Sequence, residues 1–465
     1  MRTPLDLGSK TVLVLGLARS GRAAVELLLG SGSCVVAADR TATDELRALA
    51  EAWRPLGVRV VLGEHPKGLT DGVDLVVASP GVPLDAPVVR EARERGVPVV
   101  GELELAYAVS KGSWIAVTGT NGKTTTTTLL GELVRTTGRP VLVGGNIGTA
   151  LAGKTAGFAE RGLIVAEVSS FQLDTIESFR AHVAVLLNVT EDHLDRYPSM
   201  EAYTESKRRV FANQTPADYA VINLDDPTVA AMAVSVVARV VPVSAAREAT
   251  GGVFVRDGFI VSQVRGRDER VLPAAEIGIP GPHNLSNALA ATAAAMAVGV
   301  EPSDAACVLR EFAPLEHRLE NVAEIDGVLY VNDSKATNVD SVSFALRSYE
   351  RPIVLIAGGK DKGADFSRLG DLVASRVKAL VLIGQAAPAM QAALGQSAPV
   401  ERAASLRDAV RAAARVSEPG DVVLLSPACA SFDMFRDYED RGKQFKAEVA
   451  ALASERSGGR HGGAA

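Results

Sequence analysis

Short apolar runs alternate with helix-like stretches along nearly the whole chain. Strands that are followed by helices in this way form parallel sheets with helices packed on their faces. The alternation therefore predicts an α/β fold built on parallel sheets. The expected strands are 12–15, 35–38, 75–78, 115–117, 164–167, 183–188, 353–357, 379–383 and 422–425.

Length and composition narrow the class of protein. With 465 residues, the chain exceeds the size at which one core keeps growing, and three domains are expected. The formal charge is −6 without a basic block, which argues against nucleic acid as a partner. The three cysteines, Cys34, Cys307 and Cys429, lack metal-ligand spacing and favour a reducing cytoplasm. No signal peptide or membrane-spanning run is expected.

The stretch 113–125 predicts a nucleoside triphosphate site. An apolar strand leads into Gly119-Thr-Asn-Gly-Lys-Thr124, and a helix is expected over 125–134. Backbone N–H groups and the helix dipole of such a loop bind phosphate, while Lys123 would reach the outer phosphates and Thr124 would bind Mg²⁺. Val117 replaces the first glycine of the usual phosphate loop. The alternative is a glycine turn followed by Lys-Thr by chance.

A second glycine loop lies near the N-terminus, where Gly16-Leu-Ala-Arg-Ser-Gly21 follows the first strand and Asp39 ends the second. The pattern resembles a dinucleotide-binding loop with Ala18 as its middle residue, whose methyl group crowds the pyrophosphate and disfavours NAD. Two interpretations of this loop remain open. It binds a nucleotide-sugar diphosphate, or it is a tight turn that binds nothing. The rigid loop Ser79-Pro-Gly-Val-Pro83 ends another strand at the edge where such sheets bind ligands.

Three further polar residues lie in the middle of the chain. Glu167 ends a strand and is placed to hold Mg²⁺ directly or through water, although strand-terminal carboxylates are often only solvated. His193 lies in a polar loop, which favours a ligand or substrate contact over a packed core histidine. Lys207 on a predicted helix would by default be a surface lysine.

Five motifs spread over the chain resemble those of the Mur ligases, the ATP-dependent amide ligases of peptidoglycan precursor synthesis. They are Thr118-Gly-Thr-Asn-Gly-Lys-Thr124, Glu167-Val-Ser-Ser170, Asn188-Val-Thr-Glu-Asp-His193, Gly281-Pro-His-Asn-Leu-Ser-Asn287, and His317-Arg318 with Glu320. The resemblance implies a Rossmann-like UDP-sugar-binding domain (1–101) and a central P-loop-type ATP-binding domain with a mostly parallel sheet (102–314). A Rossmann-like amino-acid-binding domain (315–465) would follow.

The carboxyl-terminal motifs resemble those of family members that add D-glutamate to UDP-N-acetylmuramoyl-L-alanine. These motifs are Asn332-Asp-Ser-Lys-Ala-Thr-Asn338, Gly358-Gly-Lys-Asp-Lys-Gly-Ala-Asp365 and Leu425-Ser-Pro-Ala-Cys-Ala-Ser-Phe-Asp433. The Asp-Asn-Pro-Arg motif of diaminopimelate-adding relatives is absent from the sequence, as is the Asp-Gly-Ala-His-Asn-Pro stretch of folylpolyglutamate synthase. A sister ligase remains an alternative, as does a regulatory module that binds nucleotide-sugar without hydrolysis. The resemblance implies four catalytic residues, which are Lys123, Glu167, His193 and Lys207. Their presence argues against such a module.

The resemblance also implies ligands for each substrate, and it implies ATP and Mg²⁺ as cofactors of an enzyme that acts as a monomer. Mg²⁺ would be held by Thr124 and Glu167, and a second ion by His193 and a carbamylated Lys207. ATP would contact Gly119, Thr120, Asn121, Gly122, Lys123, Thr124, Thr125, Asn284, Asn287, Arg318 and Asp333. The UDP-sugar would contact Arg19, Ser20, Asp39, Arg40, Ser79, Gly81, Asn146 and His193. D-glutamate would contact Thr337, Lys335, Lys362, Ser431 and Tyr438.

Four of these assignments have alternatives or local departures. Arg318 and Asp333 would otherwise form an interdomain salt bridge, and Asn146 would otherwise sit in a glycine-rich turn. Tyr438 stands where the family pattern has phenylalanine, which matters little if only its main chain is used. The Arg19-Ser20 pair is a local variant of the uridine-binding loop.

Overall fold

The structure is a computed structural model that describes residues 7–194, 196–279, 281–313, 316–361 and 363–461, without the side chains of 457–461. The described chain forms three sheets with helices between the strands, which confirms the predicted α/β fold. The strand predicted over 183–188 ends at Leu186. It ends early because the next residues bond the glycine loop, where the Thr120 N–H donates to the Asn188 carbonyl at 2.9 Å.

The first sheet is wholly parallel, with the Rossmann-like strand order β3-β2-β1-β4-β5. The strand order reverses between the adjacent strands β1 and β4, so the loops that follow these two strands leave the sheet side by side at its carboxyl end. Sheets of this kind bind ligands at that position. The elements are β1 (Thr11–Leu15), α1 (Arg19–Gly30), β2 (Cys34–Asp39), α2 (Asp44–Trp53), β3 (Arg59–Leu62), β4 (Leu75–Ala78), α3 (Pro87–Glu94) and β5 (Val99–Gly101).

The second sheet has the order β14-β13-β12-β11-β10-β9-β6-β8-β7 and is parallel from β7 to β12, with antiparallel pairs at its far edge. Its first elements are α4 (Glu102–Val109), β6 (Ser113–Thr118), α5 (Lys123–Arg135), β7 (Val141–Gly145), α6 (Ala152–Thr155), β8 (Leu163–Glu167), α7 (Ser170–Leu173), β9 (Val183–Leu186) and α8 (Met200–Arg208). The others are β10 (Tyr219–Asn223), α9 (Pro227–Met232), β11 (Arg239–Ser244), β12 (Val253–Arg256), β13 (Phe259–Ser262), β14 (Glu269–Pro273), α10 (Pro282–Ala297) and α11 (Pro302–Glu311).

The third sheet has the order β15-β16-β20-β17-β18-β19, and its pairs are parallel except for β15 with β16. Its elements are β15 (Glu320–Ile325), β16 (Val328–Asn332), α12 (Val339–Arg347), β17 (Ile353–Gly358), α13 (Gly370–Arg376), β18 (Val377–Ile383), α14 (Ala387–Leu394), β19 (Val400–Arg402), α15 (Leu406–Val416), β20 (Val422–Leu425) and α16 (Tyr438–His461). Short 3₁₀ turns are Arg54–Leu56, Arg209–Phe211, Ala233–Ser235, Ala274–Glu276 and Phe366–Leu369.

The chain divides into two compact units. The first holds the residues up to Val189 together with Glu201–Ile277 and Ser286–Arg310, and so contains the first two sheets. The second holds Thr190–Met200, Gly278–Leu285 and the residues from Glu311 onward. The boundaries expected at 101/102 and 314/315 stay predictions. Among the described residues, no helix is apolar over a length that would span a membrane.

Candidate active site

The loop between β6 and α5 needs glycine at two positions. Gly119 and Gly122 have φ angles of 150° and 82°, which side chains rarely adopt. A Cβ on Gly122 would lie 2.2 Å from Oδ1 of the buried Asn287. Gly122 caps α5, which begins at Lys123, before the predicted start at 125. The glycine loop and the N-terminal turn of α5 have the geometry of an anion site.

Two lysine side chains reach this loop. Nζ of Lys123 donates to the carbonyls of Gly119 and Thr120 at 2.9 and 2.6 Å. Nζ of Lys207 donates to the same Gly119 carbonyl at 2.8 Å and lies 4.6 Å from the centroid of the Tyr203 ring. Lys207 is only 1% exposed, so it is not the surface lysine expected by default. The fold therefore concentrates positive charge at the place where phosphates would bind.

Glu167 presents one bonded and one unbonded carboxylate oxygen. It ends β8 and lies in register with Val117 of β6, and its side chain is buried. Oε1 accepts a hydrogen bond of 2.9 Å from the Asn146 amide, whereas Oε2 is buried with no hydrogen-bond partner among the described residues. A buried oxygen without a donor is costly, and Mg²⁺ prefers such oxygen ligands. Glu167 therefore fits a magnesium site, and the half-buried Thr124 lies in the first turn of α5.

Asn146 connects Glu167 to the predicted nucleotide-sugar loop. Its backbone N–H donates to the Glu167 carbonyl at 2.9 Å, and its own carbonyl accepts from Nη2 of Arg19 at 3.3 Å. A Cβ on the preceding Gly145 would lie 2.4 Å from the same Glu167 carbonyl, so glycine is needed there. Arg19 and Asn146, predicted for the UDP-sugar, and Glu167, predicted for Mg²⁺, thus form one chain of contacts.

Asp39 links the first glycine loop to the residues after β2 through its two carboxylate oxygens. Oδ2 accepts from the Leu17 N–H at 2.7 Å, and Oδ1 accepts from the N–H and hydroxyl of Thr41 at 2.9 and 2.7 Å. Burial alone would raise the pKa of Asp39, but these hydrogen bonds hold the pKa below its usual value. The carboxylate is therefore ionised and already occupied with holding the loop.

Among the other residues predicted for the UDP-sugar, Ser79 contacts this loop directly. The buried Ser79 hydroxyl donates to the Gly16 carbonyl at 2.7 Å, which ties the loop after β4 to the loop after β1. Ser20 is half-buried, whereas Arg40 and Gly81 are exposed. The two loops thus meet at the edge of the first sheet.

In the second unit, His193 and Thr337 line one small cleft of about 40 Å³. His193 has a φ of 56°, and its N–H donates to Oδ1 of Asp192 at 2.9 Å. The amide of Asn338 donates to Oδ2 of the same carboxylate at 3.1 Å. The structure therefore brings a predicted metal ligand and a predicted D-glutamate contact together within this unit.

Asp333 and Arg318 also lie in the second unit. Asp333 accepts from the Ser426 hydroxyl at 2.8 Å and from the Leu319 N–H at 3.3 Å, yet burial raises the pKa of Asp333 to about 7. Burial and the nearby Arg318 charge lower the pKa of His283 to about 4. Beside His283, the Asn284 N–H donates to the Gly281 carbonyl at 3.0 Å in the first turn of α10.

Of the remaining residues predicted for D-glutamate, Lys335 and Tyr438 lie together where α16 begins. Nζ of Lys335 lies 3.6 Å from the ring centroid of Tyr438, a cation–π contact. The Tyr438 carbonyl accepts from the Ser334 hydroxyl at 2.8 Å, so its main chain is engaged. Ser431 is buried, and its carbonyl accepts from the Phe435 N–H at 2.9 Å. Lys362 lies outside the described residues.

Arg441 of α16 is fully buried, and it was not among the residues predicted from the sequence. Its Nη2 donates to the Ser334 carbonyl at 2.8 Å and its Nη1 to the Cys429 carbonyl at 3.2 Å. It thereby joins the loops that carry Lys335 and Ser431. Burial lowers the pKa of Arg441 to about 10, and the guanidinium stays charged at neutral pH. No pattern in the sequence distinguishes Arg441 from a surface arginine in a first helical turn.

Family models match the chain in three consecutive stretches. The MurD-like N-terminal domain of Mur ligases matches 10–101, the Mur ligase middle domain matches 117–295, and the glutamate ligase domain of Mur ligases matches 317–429. Together, these matched stretches include most of the residues considered above.

Individual proteins match over nearly the full length. The chain is 49% identical to the UDP-N-acetylmuramoylalanine--D-glutamate ligase of Pelotomaculum thermopropionicum, covering 96% of this chain and 99% of that protein. It is 46% identical to the ligase of the same name from Geobacter metallireducens, and the match covers 97% of this chain and 99% of that protein.

Solved structures share the fold at lower identity. The UDP-N-acetylmuramate-alanine ligase of Thermotoga maritima has a TM-score of 0.59 at 18% identity, covering 95% of this chain and all of that one. A pseudomurein peptide ligase of Methanothermus fervidus has a TM-score of 0.60 at 18% identity, and the match covers 96% of this chain and 100% of that one. The similarity to these structures confirms the fold, and the full-length relatives establish that the chain is homologous to Mur ligases. The chain belongs to the Mur ligase family.

Proposed function

We propose that this protein is an ATP-dependent amide ligase that adds D-glutamate to UDP-N-acetylmuramoyl-L-alanine in peptidoglycan precursor synthesis. The observation that carries the proposal is the convergence of Lys123 and Lys207 on the glycine loop Gly119–Thr124, in a chain whose full-length relatives bear that ligase's name. The buried Glu167 ends β8, the strand that pairs with β6 ahead of this loop. A purely regulatory nucleotide-sugar module would have no need of two lysines on a phosphate loop.

The reaction takes place in two steps. The carboxylate of the UDP-sugar peptide attacks the γ-phosphorus of ATP, which gives an acyl phosphate and ADP. The amine of D-glutamate then attacks the carbonyl carbon, phosphate leaves, and the nitrogen loses a proton to give the amide. Both steps bring anions together, so charge neutralisation and alignment carry most of the rate enhancement. Lys123 would stabilise the transferring phosphoryl group, and its hydrogen bonds to the loop carbonyls support this role.

Glu167 and Thr124 would hold Mg²⁺, and the buried free Oε2 of Glu167 supports this role. When bound, Mg²⁺ neutralises charge on the phosphate oxygens. His193 and Lys207 would hold a second ion. An unmodified lysine is only a hydrogen-bond donor, as Lys207 is toward Gly119, and a carbamate on its nitrogen would supply oxygen ligands instead.

The substrate contacts follow from the same proposal. ATP would lie on Gly119 to Thr125 with Asn284, Asn287, Arg318 and Asp333. The UDP-sugar would lie against Arg19, Ser20, Arg40, Ser79, Gly81 and Asn146, with Asp39 shaping the loop and His193 as a further contact. D-glutamate would contact Thr337, Lys335, Lys362, Ser431 and Tyr438.

ATP-dependent phosphate release tests the proposed reaction. With UDP-N-acetylmuramoyl-L-alanine as acceptor, we expect D-glutamate to support release and L-glutamate to support almost none. Release with diaminopimelate or L-lysine, and none with D-glutamate, would instead assign a sister ligase. Release with no amino acid added would indicate a nucleotide hydrolase.

We also propose that the enzyme acts in the cytoplasm as a monomer on these small molecules. The acidic net charge and the scattered cysteines, Cys34, Cys307 and Cys429, support a reducing compartment without a nucleic-acid partner. Sedimentation equilibrium of the active enzyme tests the oligomeric state, and a concentration-independent mass near 48.5 kDa is expected.

A further inference from the structure

The segment Thr190–Met200 lies in the middle of the sequence but belongs to the same compact unit as the third sheet. It carries His193, whose backbone is in the left-handed region. Within that unit, side-chain contacts from two successive residues hold the segment. One is the Asn338–Asp192 hydrogen bond, and the other is an ion pair in which Nη1 of Arg368 lies 3.4 Å from Oε2 of Glu191.

Arg368 pairs with a second carboxylate at the same time. Its Nη2 donates to Oδ1 of Asp340 at 2.8 Å. Asp340 lies in the first turn of α12, and its other oxygen is buried with no hydrogen-bond partner among the described residues. A buried carboxylate needs a cation nearby, so Arg368 is anchored at this end. At the other end, it reaches the more exposed Glu191.

These contacts surround the cleft shared by His193 and Thr337. Glu191, Thr337 and Arg368 all line it. Thr337 directly precedes Asn338, the residue that caps α12, whereas Glu191 lies in the His193 segment. Arg368 therefore joins two walls of the cleft, one on α12 and one on the segment.

We propose that Arg368 is a positioning residue for the amino-acid substrate. By pairing Glu191 with Asp340, it holds the His193 segment against the start of α12 and keeps the cleft in the shape that the amino acid binds. This role rests on the proposed function, because that function places the amino acid beside Thr337. The effect is modest, since Arg368 and Glu191 each have side chains about 40% exposed to solvent.

The variant Glu191→Gln is the sharpest test, because it weakens the contact between Arg368 and the segment and leaves the Arg368–Asp340 pair intact. We expect KM for D-glutamate to rise about two- to fivefold, with KM for ATP unchanged. Arg368→Gln should raise KM for D-glutamate at least as much, and the double variant should be no worse than Arg368→Gln alone. Arg415→Gln is the matched control, since it removes an exposed pair with Glu401 in the same unit.

Hydrogen exchange of the substrate-free enzyme gives a second measurement that does not depend on turnover. Amides of 190–200 should exchange faster in Glu191→Gln than in the wild type, while Arg415→Gln leaves them unchanged. This measurement reports how firmly the Arg368–Glu191 pair holds the segment. A general loss of stability would instead accelerate exchange across the whole unit.

The outcomes separate the competing explanations. If Arg368 bound the substrate carboxylate directly, Arg368→Gln would raise KM while Glu191→Gln lowered it or left it unchanged, and the positioning role would be overturned. Additive effects in the double variant, or unchanged exchange in Glu191→Gln, would also overturn it. A wild-type enzyme that releases no phosphate with D-glutamate overturns the proposed function, whatever the exchange of 190–200 shows.

Discussion

Lys123 and Lys207 donate hydrogen bonds to the same backbone carbonyl, that of Gly119, at 2.9 and 2.8 Å. They come from different helices, α5 and α8, and one of them is almost completely buried. As unmodified ammonium groups the two would repel each other across one neutral carbonyl, and either a bound polyphosphate or the proposed carbamate on Lys207 would relieve that repulsion. Both side chains are therefore directed at the loop where the proposed site takes anionic groups.

Replacing Lys123 with Ala should lower kcat by about 10²- to 10³-fold, because the charge that stabilises the transferring phosphoryl group is lost. The half-buried side chain leaves the fold intact, so the unfolding midpoint should change little. Phosphate release under saturating substrates measures the effect. Lys111→Ala, at an exposed site, is the control. Near-normal turnover in Lys123→Ala would refute the assignment of the loop.

Glu167→Gln should raise the Mg²⁺ concentration for half-maximal activity by at least about tenfold, because a charged oxygen ligand becomes a neutral amide. Titration of activity with Mg²⁺ after treatment with a chelator measures this. Glu160→Gln removes an exposed carboxylate from the same unit and should behave like the wild type. An unchanged Mg²⁺ requirement in Glu167→Gln would exclude the carboxylate as a ligand.

Asp333 should make the protein less stable as the pH rises from about 4 to 7. Its pKa is raised from 3.8 to about 7 by burial, so between these values the folded state holds a proton that the unfolded state has lost. The free energy of unfolding therefore falls across this window and is level above it. Asp333→Asn lacks the titration, and its stability relative to the wild type should increase by roughly 2 to 3 kcal/mol between pH 5 and pH 8.

Urea unfolding at the two pH values tests the Asp333 prediction. The exposed Asp371, changed to Asn, provides the control and should show no comparable change with pH. Ser426→Ala removes a hydrogen bond that lowers the pKa of Asp333, so it should extend the window to higher pH. A constant difference between Asp333→Asn and the wild type would contradict the prediction.

Two glycines of the first helix should respond to alanine in opposite directions. A Cβ on Gly21 would lie 1.8 Å from the Gly16 carbonyl oxygen, whereas a Cβ on Gly30 meets no atom within 4 Å. Gly21→Ala should cost about 1 to 3 kcal/mol through overpacking and should weaken UDP-sugar binding. Gly30→Ala should stabilise by about 0.4 to 1 kcal/mol through the unfolded state. Equal stabilities in urea would disprove the close approach.

Several central strands were predictable because both of their faces are buried, although the buried inner strands β10 and β16 were not predicted. β8, β17 and β20 are apolar at nearly every position and therefore read as continuous runs. The edge strands β3 and β19 were not predicted, because they have only four and three residues, carry arginines and are only partly buried. The phosphate loop was equally evident, because its glycines and its Lys-Thr pair are consecutive in the chain.

By itself, the sequence determined the α/β architecture, the phosphate loop and the family, since each of these is written in local runs or motifs. Only the tertiary structure decided that Lys207 is buried against Gly119, that Asp39 holds its own loop, and that Arg441 joins two loops from inside the protein. Those outcomes depend on residues far apart in the chain becoming neighbours. The burial and hydrogen bonding that result are properties of the packed fold, which no local pattern of residues specifies.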